Sequence, residues 1–183
     1  GVAIFIFGNQ INNYFSASTF NRISSAVAII AVVAVGQTLV VLTRNVDLSV
    51  GSIVGFTAYF VGHQLNQNQE ISPTLVLLMA LALGAALGFF TGLLVAYGKV
   101  PSNVVTLGTM AIYRGIFVEY SNSESVVTSR LPDWVKDLPR ESVFEAGGIE
   151  LRALPAIALA MVIIFNLLLL YTHWGRRLYA IGA

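Results

Sequence analysis

The sequence predicts an all-α fold, a polytopic bundle of transmembrane helices, on three observations. Of 183 residues, 56% are hydrophobic and 10% charged, against about 45–50% and about 25% in a soluble globular domain. Ten Lys and Arg with nine Asp and Glu cannot clothe a water-facing surface of this size, so lipid must replace water around the perimeter. Uncharged runs of span length also recur along the chain. As helix, about 20 apolar residues cross a hydrocarbon core of about 30 Å.

Taken in order, residues 1–8 are apolar but too short to cross, and they lack the charged start and cleavage site of a signal peptide. They read as the tail of a truncated first helix. Five complete spans are then expected, at 23–43, 48–69, 71–98, 100–118 and 153–173. The fourth carries Arg114 near one end, where a long side chain can reach the headgroups. Between the fourth and fifth spans, residues 119–152 contain Leu131-Pro-Asp-Trp134 and Ala146-Gly-Gly-Ile149, which suggest a short interfacial helix and a turn outside the membrane. The last span ends in an aromatic belt, Tyr171 to Trp174, and the chain stops soon after, which reads as truncation at the C-terminus. No domain boundary is visible, so residues 1–183 are expected to form a single transmembrane domain.

Orientation follows from the positive-inside bias. Alternating spans put Arg44, Lys99, Arg176 and Arg177 on one side, and Arg22, Glu70 and residues 119–152, where seven acids outnumber four bases, on the other. The first side is expected to be cytoplasmic, which makes 119–152 extracytoplasmic and 173–183 the start of a cytoplasmic segment.

Composition also excludes functions. A net charge of +1 with dispersed basic residues gives no electrostatic case for nucleic acid. The absence of cysteine removes disulfides, thiol catalysis and Cys-ligated metals. His63 and His173 lie far apart with no carboxylate at ligand spacing, so no metal is expected. No catalytic residues are assigned, because no nucleophile–base spacing or paired mid-membrane carboxylates occur.

Three groups of residues carry a mechanism. Ala80, Gly84, Gly88, Gly92 and Ala96 recur every four residues and form a flat helix face for close helix packing. Arg44, Asn45, Asp47 and Ser49 break the chain between two apolar runs, with Asp47 or Ser49 placed to cap the second helix. Thr106, Thr109, Tyr113 and Arg114 add hydroxyls and a charge to the helix after a second break at 97–103. A polar solute stripped of water needs such partners along its route. A threonine in a transmembrane helix can equally bond its own backbone, and Gln37 and Asn166 can equally bond between helices, so both readings stand.

Four ordered segments, Thr43-Arg-Asn-Val-Asp-Leu-Ser-Val-Gly-Ser52, Gly92-Leu-Leu-Val-Ala96, Thr106-Leu-Gly-Thr-Met-Ala-Ile-Tyr-Arg-Gly115 and Gly175-Arg-Arg-Leu-Tyr-Ala-Ile-Gly182, resemble the permease subunits of bacterial simple-sugar ABC importers. Family members often carry Gly-Gly where this chain has Arg44-Asn45, a variant associated with rhamnose-type and autoinducer-uptake permeases. The resemblance implies a multi-pass protein of the bacterial inner membrane that imports a monosaccharide or similar small polyol by alternating access. It implies a second permease subunit, a periplasmic sugar-binding protein and a separate cytoplasmic ATP-binding subunit, since no Gly-x-x-x-x-Gly-Lys-Ser/Thr phosphate loop is present here. No cofactor is implied, and membrane lipid is the remaining partner. The segment with Arg176, Arg177, Leu178, Tyr179 and Ile181 is then expected to begin the contact with the ATPase, its apolar residues as anchors and its arginines for orientation. The rival reading is a secondary transporter or channel, which the lack of an Asp, Glu or Lys deep in a span disfavours for proton coupling.

Overall fold

A computed structural model describes residues 16–146 and 149–182. The opening segment 1–8 and residues 147–148 of the expected turn lie outside the described residues. In order, the elements are α1 (Ala17–Leu42), α2 (Val50–Gln67), α3 (Pro73–Gly98), α4 (Ser102–Ser121), a 3₁₀ turn (Thr128–Arg130), α5 (Asp133–Asp137), β1 (Ser142–Ala146), β2 (Ile149–Arg152), α6 (Ala153–Tyr171) and α7 (His173–Gly182).

A helix covers each of the five expected spans. By length and composition, α1, α3 and α6 are long and apolar enough to cross a membrane. The 18 residues of α2 and 20 of α4 rise about 27 and 30 Å, which is long enough, but both are more polar. His63, Gln64 and Asn66 sit near the end of α2, and Asn103, Arg114 and Glu119 interrupt α4. The long helices are covered in outward-facing apolar side chains, among them Leu81 at 60% and Phe89 at 72% exposure. This is the reverse of a water-soluble fold, and lipid is the environment that makes it stable.

The helix ends have local causes. Ser72 caps α3, its Oγ accepting from the Leu75 amide at 3.3 Å with Pro73 in the first turn, where a missing N–H costs nothing. At the other end of α3, Lys99 takes the left-handed conformation (φ 54°), as do Arg44 after α1 and Asn122 after α4. On α5, Lys136 pairs with Asp133 at 2.7 Å. The hydrogen bond and then the charge of Lys136 hold the Asp133 carboxyl below its usual range.

The chain packs as two compact units. One contains the described residues up to Gly36 and Asp137–Arg177. Here Asn21, almost fully buried, donates to Glu150 Oε2 at 3.2 Å, and Ser24 and Ser25 donate to the Asn21 carbonyl. β1 and β2 pair antiparallel, with a bulge between Ser142 and Phe144. These strands depart from an all-helical expectation. Val143, Phe144, Ile149 and Leu151 flank Gly147-Gly148 in the sequence, a strand signal that is weak among the acids and bases around it.

The other unit contains Gln37–Lys136 and the residues from Leu178 on. In it α2 packs against α3 and α4, and α3 against α4. At one end, Phe56 and Tyr59 of α2 meet Phe117 and Tyr120 of α4, and His63 stacks on Tyr59 at 5.9 Å. The Tyr59 hydroxyl donates to the carbonyls of Ser121 and Glu124, holding the following loop against α2. At the opposite end of α2 and α4, the loop after α1 meets the start of α4, the Val46 amide donating to Ser102 Oγ at 3.2 Å.

The small-residue face of α3 behaves otherwise than its spacing suggests. A Cβ built on Gly84, Gly88 or Gly92 would meet nothing within 4 Å. Contact with α4 runs instead through the adjacent row, where Leu87 and Thr91 reach Tyr113. Ala80 and Gly84 edge an apolar groove of about 390 Å³ shared with Ile53, Thr57 and Val61 of α2. Between described residues, the close approach for which these glycines leave room is therefore not made.

Candidate functional site

The break between α1 and α2 is built by its own polar residues. Asp47 Oδ1 accepts from the Ser49 amide at 2.8 Å and from Ser49 Oγ at 2.6 Å. Ser49 has no exposed surface, so this carboxylate satisfies donors at the start of α2 that water cannot reach. The cap on α2 is thus the Asp47 side chain; Ser49 itself makes no side-chain cap bond. Gln37, one helical turn before the end of α1, reaches across the break and donates from Nε2 to the Asp47 carbonyl at 2.9 Å. Asn45 donates to the carbonyl and the hydroxyl of Thr43, which closes the turn after Arg44.

From this break a row of buried hydroxyls runs along α4. Thr106, Thr109 and Tyr113, each 2% exposed, lie at spacings of three and four and so share one face. Thr106 Oγ1 is shared between the carbonyls of Val46 (3.3 Å) and Asn103 (3.4 Å), and Thr109 Oγ1 donates to the Thr106 carbonyl. The Tyr113 hydroxyl donates to the Leu87 carbonyl at 2.8 Å, which leaves Thr91 to donate to Tyr113 at 2.9 Å. Ser52 Oγ of α2 adds a bond to the Met110 carbonyl. Each of these hydroxyls has a partner, so the row acts as a seam joining the break, α2, α3 and α4.

Seven sequence-derived candidates, Gln37, Asn45, Asp47, Ser49, Thr106, Thr109 and Tyr113, thus meet in one hydrogen-bonded region. Arg44 borders it, its backbone left-handed and its side chain exposed. Arg114 turns outward from α4, and Asn166, on α6 of the other unit, is exposed. Sequence reasoning missed Ser52, Thr91 and Ser102. Thr91 was findable, being a lone hydroxyl in the middle of the apolar helix α3. Among the described residues no group of His, Asp and Glu could hold a metal ion. Its chemistry is hydrogen bonding that fixes backbone, and the Ser49 hydroxyl held by the Asp47 carboxylate has no exposed surface.

This fold and this seam define a class: a helical membrane protein whose polar groups brace irregular backbone between spans. Residues 19–183 match the family described as branched-chain amino acid transport system / permease component, and the chain belongs to that family. The chain is 38% identical over 172 residues to the autoinducer 2 import system permease protein LsrC of Yersinia pseudotuberculosis serotype O:1b (strain IP 31758). It is likewise 38% identical over 172 residues to the LsrC protein of Yersinia pestis (strain Pestoides F). Each match covers 93% of this chain and 46% of the relative, so the chain spans about half the length of the curated relatives it matches. No solved structure matches it.

Proposed function

We propose that this chain is part of the membrane-spanning permease subunit of an ATP-driven importer for a small polyhydroxylated solute, a rhamnose-type sugar or an autoinducer of the kind named in its relatives. The observation that carries this reading is the identity to LsrC permeases over 93% of the chain. The subunit works in the bacterial inner membrane as a multi-pass protein. A second permease subunit completes the path, a periplasmic binding protein delivers the solute, a cytoplasmic ATP-binding subunit drives alternating access, and the permease itself catalyses no reaction.

In this reading the hydroxyl row and the Asp47 break brace the wall of the path, while Arg114, which is exposed, has polar groups to offer the solute. The test is uptake of radiolabelled rhamnose or autoinducer 2 into vesicles carrying the full-length permease with its ATPase and binding protein. ATP-dependent uptake is expected. Uptake driven by an ion gradient without ATP would establish a secondary transporter instead.

The proposed topology places Arg44, Lys99 and Arg176 in the cytoplasm and residues 119–152 outside. It is supported within the second unit by the Val46–Ser102 bond, which gathers the Arg44 and Lys99 turns at one end, while Tyr59 ties residues 121–124 to the other end of α2. Single cysteines at Ser125 and Arg176, in a chain with no cysteine of its own, should react with an impermeant thiol reagent from opposite sides. Labelling of both from one side would overturn the assignment.

For ATPase coupling, helical spacing divides the expected residues. Leu178 and Ile181 fall on the same side of α7 as Trp174, and Tyr179 falls with Arg176 on the opposite side. Arg177 flanks the Ile181 side. Tyr179 is then the apolar anchor left to face the ATPase, and Arg176 orients it. Tyr179→Ala should leave membrane insertion intact and cut the ratio of solute imported to ATP hydrolysed several-fold, with Arg176→Lys much milder. An unchanged ratio in the reconstituted complex would leave this segment as a topology signal alone.

A further inference from the structure

We propose that α7 is a membrane-surface helix whose Trp174, Leu178 and Ile181 side rests in the headgroup boundary of an anionic lipid leaflet, with the flanking Arg177 held by the lipid anions. The proposal deepens the permease reading, in that it rests on α6 as a span. A single residue, Thr172, separates the end of α6 from the start of α7, so α7 begins where a span ends.

Thr172 builds a fixed corner there. Its extended backbone (φ −102°, ψ 158°) ends α6, and its amide and hydroxyl both donate to the Leu168 carbonyl. Its hydroxyl also accepts from the Gly175 amide at 3.3 Å, which starts α7. Gly175 is buried and lies so close to Leu169 that a Cβ would overlap that carbonyl. The first turn of α7 therefore presses back on the end of α6 and does not prolong its axis.

On this helix Trp174, Leu178 and Ile181 fall at i, i+4 and i+7, one face by helical spacing. Trp174 is 77% and Ile181 67% exposed. The remainder of α7 carries His173, whose Nδ1 lies 2.8 Å from Arg176 Nη2, and Arg177, with no acid anywhere between His173 and Gly182. A helix with one apolar side including tryptophan, flanked by an arginine and carrying no acid, matches the lipid boundary in both respects. Two observations select lipid as the occupant. The helix starts one residue after the apolar helix α6 ends, and its charge is unmixed and complementary to anionic headgroups.

The test uses the full-length permease, with Trp134→Phe as background so that Trp174 can be followed against the other tryptophans by its own Trp174→Phe control. The protein is placed in vesicles of phosphatidylcholine and phosphatidylglycerol, with bromine on the acyl chains of one lipid at a time. The expected result is loss of most Trp174 emission to brominated lipid, little quenching by aqueous acrylamide, and stronger quenching by the brominated anionic lipid. Arg177 should contribute up to about fivefold local enrichment of that lipid, and Arg177→Gln should abolish the preference. Ready quenching by acrylamide would place the face in water, and protection from both quenchers would place it against protein; either overturns the proposal. Should Trp134→Phe fail to fold, a spin label on Ile181→Cys reads the same face, oxygen access over aqueous nickel supporting lipid and the reverse refuting it. Neither readout involves uptake or ATP, so the proposal can fail while the importer reading stands, and the converse.

Discussion

Gly175→Ala should unfold the corner between α6 and α7. The added methyl would overlap the carbonyl of Leu169, which is backbone in the last turns of α6 and cannot swing aside as a side chain could. Relief requires shifting α7 away, which also parts the Gly175 amide from Thr172 Oγ1 and the Arg176 amide from the Thr172 carbonyl. Overpacking costs about 1–3 kcal/mol and more when backbone must move, and the lost bonds add about 1 kcal/mol each, so a destabilisation of about 3–5 kcal/mol is expected. Protease cleavage within residues 171–177 of the detergent-solubilised protein should accelerate strongly. Cleavage at the parent rate would show that the corner yields without cost.

The second large effect belongs to Asp47→Ala. Removing this carboxylate leaves the amide and hydroxyl of Ser49 without their acceptor at a position with no exposed surface. A buried donor left unsatisfied costs about 1–3 kcal/mol, and bonds to a charged acceptor lie toward the upper end. A loss of about 2–4 kcal/mol is therefore expected, and exchange of the Ser49 amide should quicken by roughly 30-fold or more, the equivalent of 2 kcal/mol. Asp47→Asn retains an acceptor at Oδ1 without the charge and should cost about 1 kcal/mol. Equal behaviour of the Ala and Asn variants would mean that the carboxylate does not brace the break.

These two positions differ in how far the sequence announces them. Asp47 stands between two apolar runs with a hydroxyl two residues on, and a capping role can be read directly from that pattern. Gly175 sits in a run of polar and aromatic residues where a glycine is unremarkable, because its necessity comes from Leu169, which local pattern treats as one more apolar helix residue. The glycines of α3 teach the same point in reverse. Their period of four is conspicuous, yet Gly84, Gly88 and Gly92 leave open space while contact passes through Leu87 and Thr91. A small-residue period marks a face that permits close approach; whether another helix occupies it depends on chain outside that helix.

The pairing of β1 with β2 was not legible: the pairing of Phe144 with Leu151 is an interaction across strands that no helical or membrane-span pattern contains.

By itself the sequence determined the class of environment and the order of elements. Too few charges to meet water, and apolar runs at the length of a bilayer, force helices with outward-facing apolar sides, since backbone polar groups must be satisfied internally in lipid. It also pointed to the polar residues, Asp47 as a break between two runs and Thr106, Thr109 and Tyr113 as hydroxyls on an otherwise apolar helix. Only the tertiary structure decided what these residues do. A hydroxyl on a helix face can meet solute, backbone or another helix, and spacing is the same in all three cases. The arrangement of α2, α3 and α4 brought Leu87, Thr91 and Val46 within hydrogen-bond distance of that face, and so turned a row of polar residues into a brace.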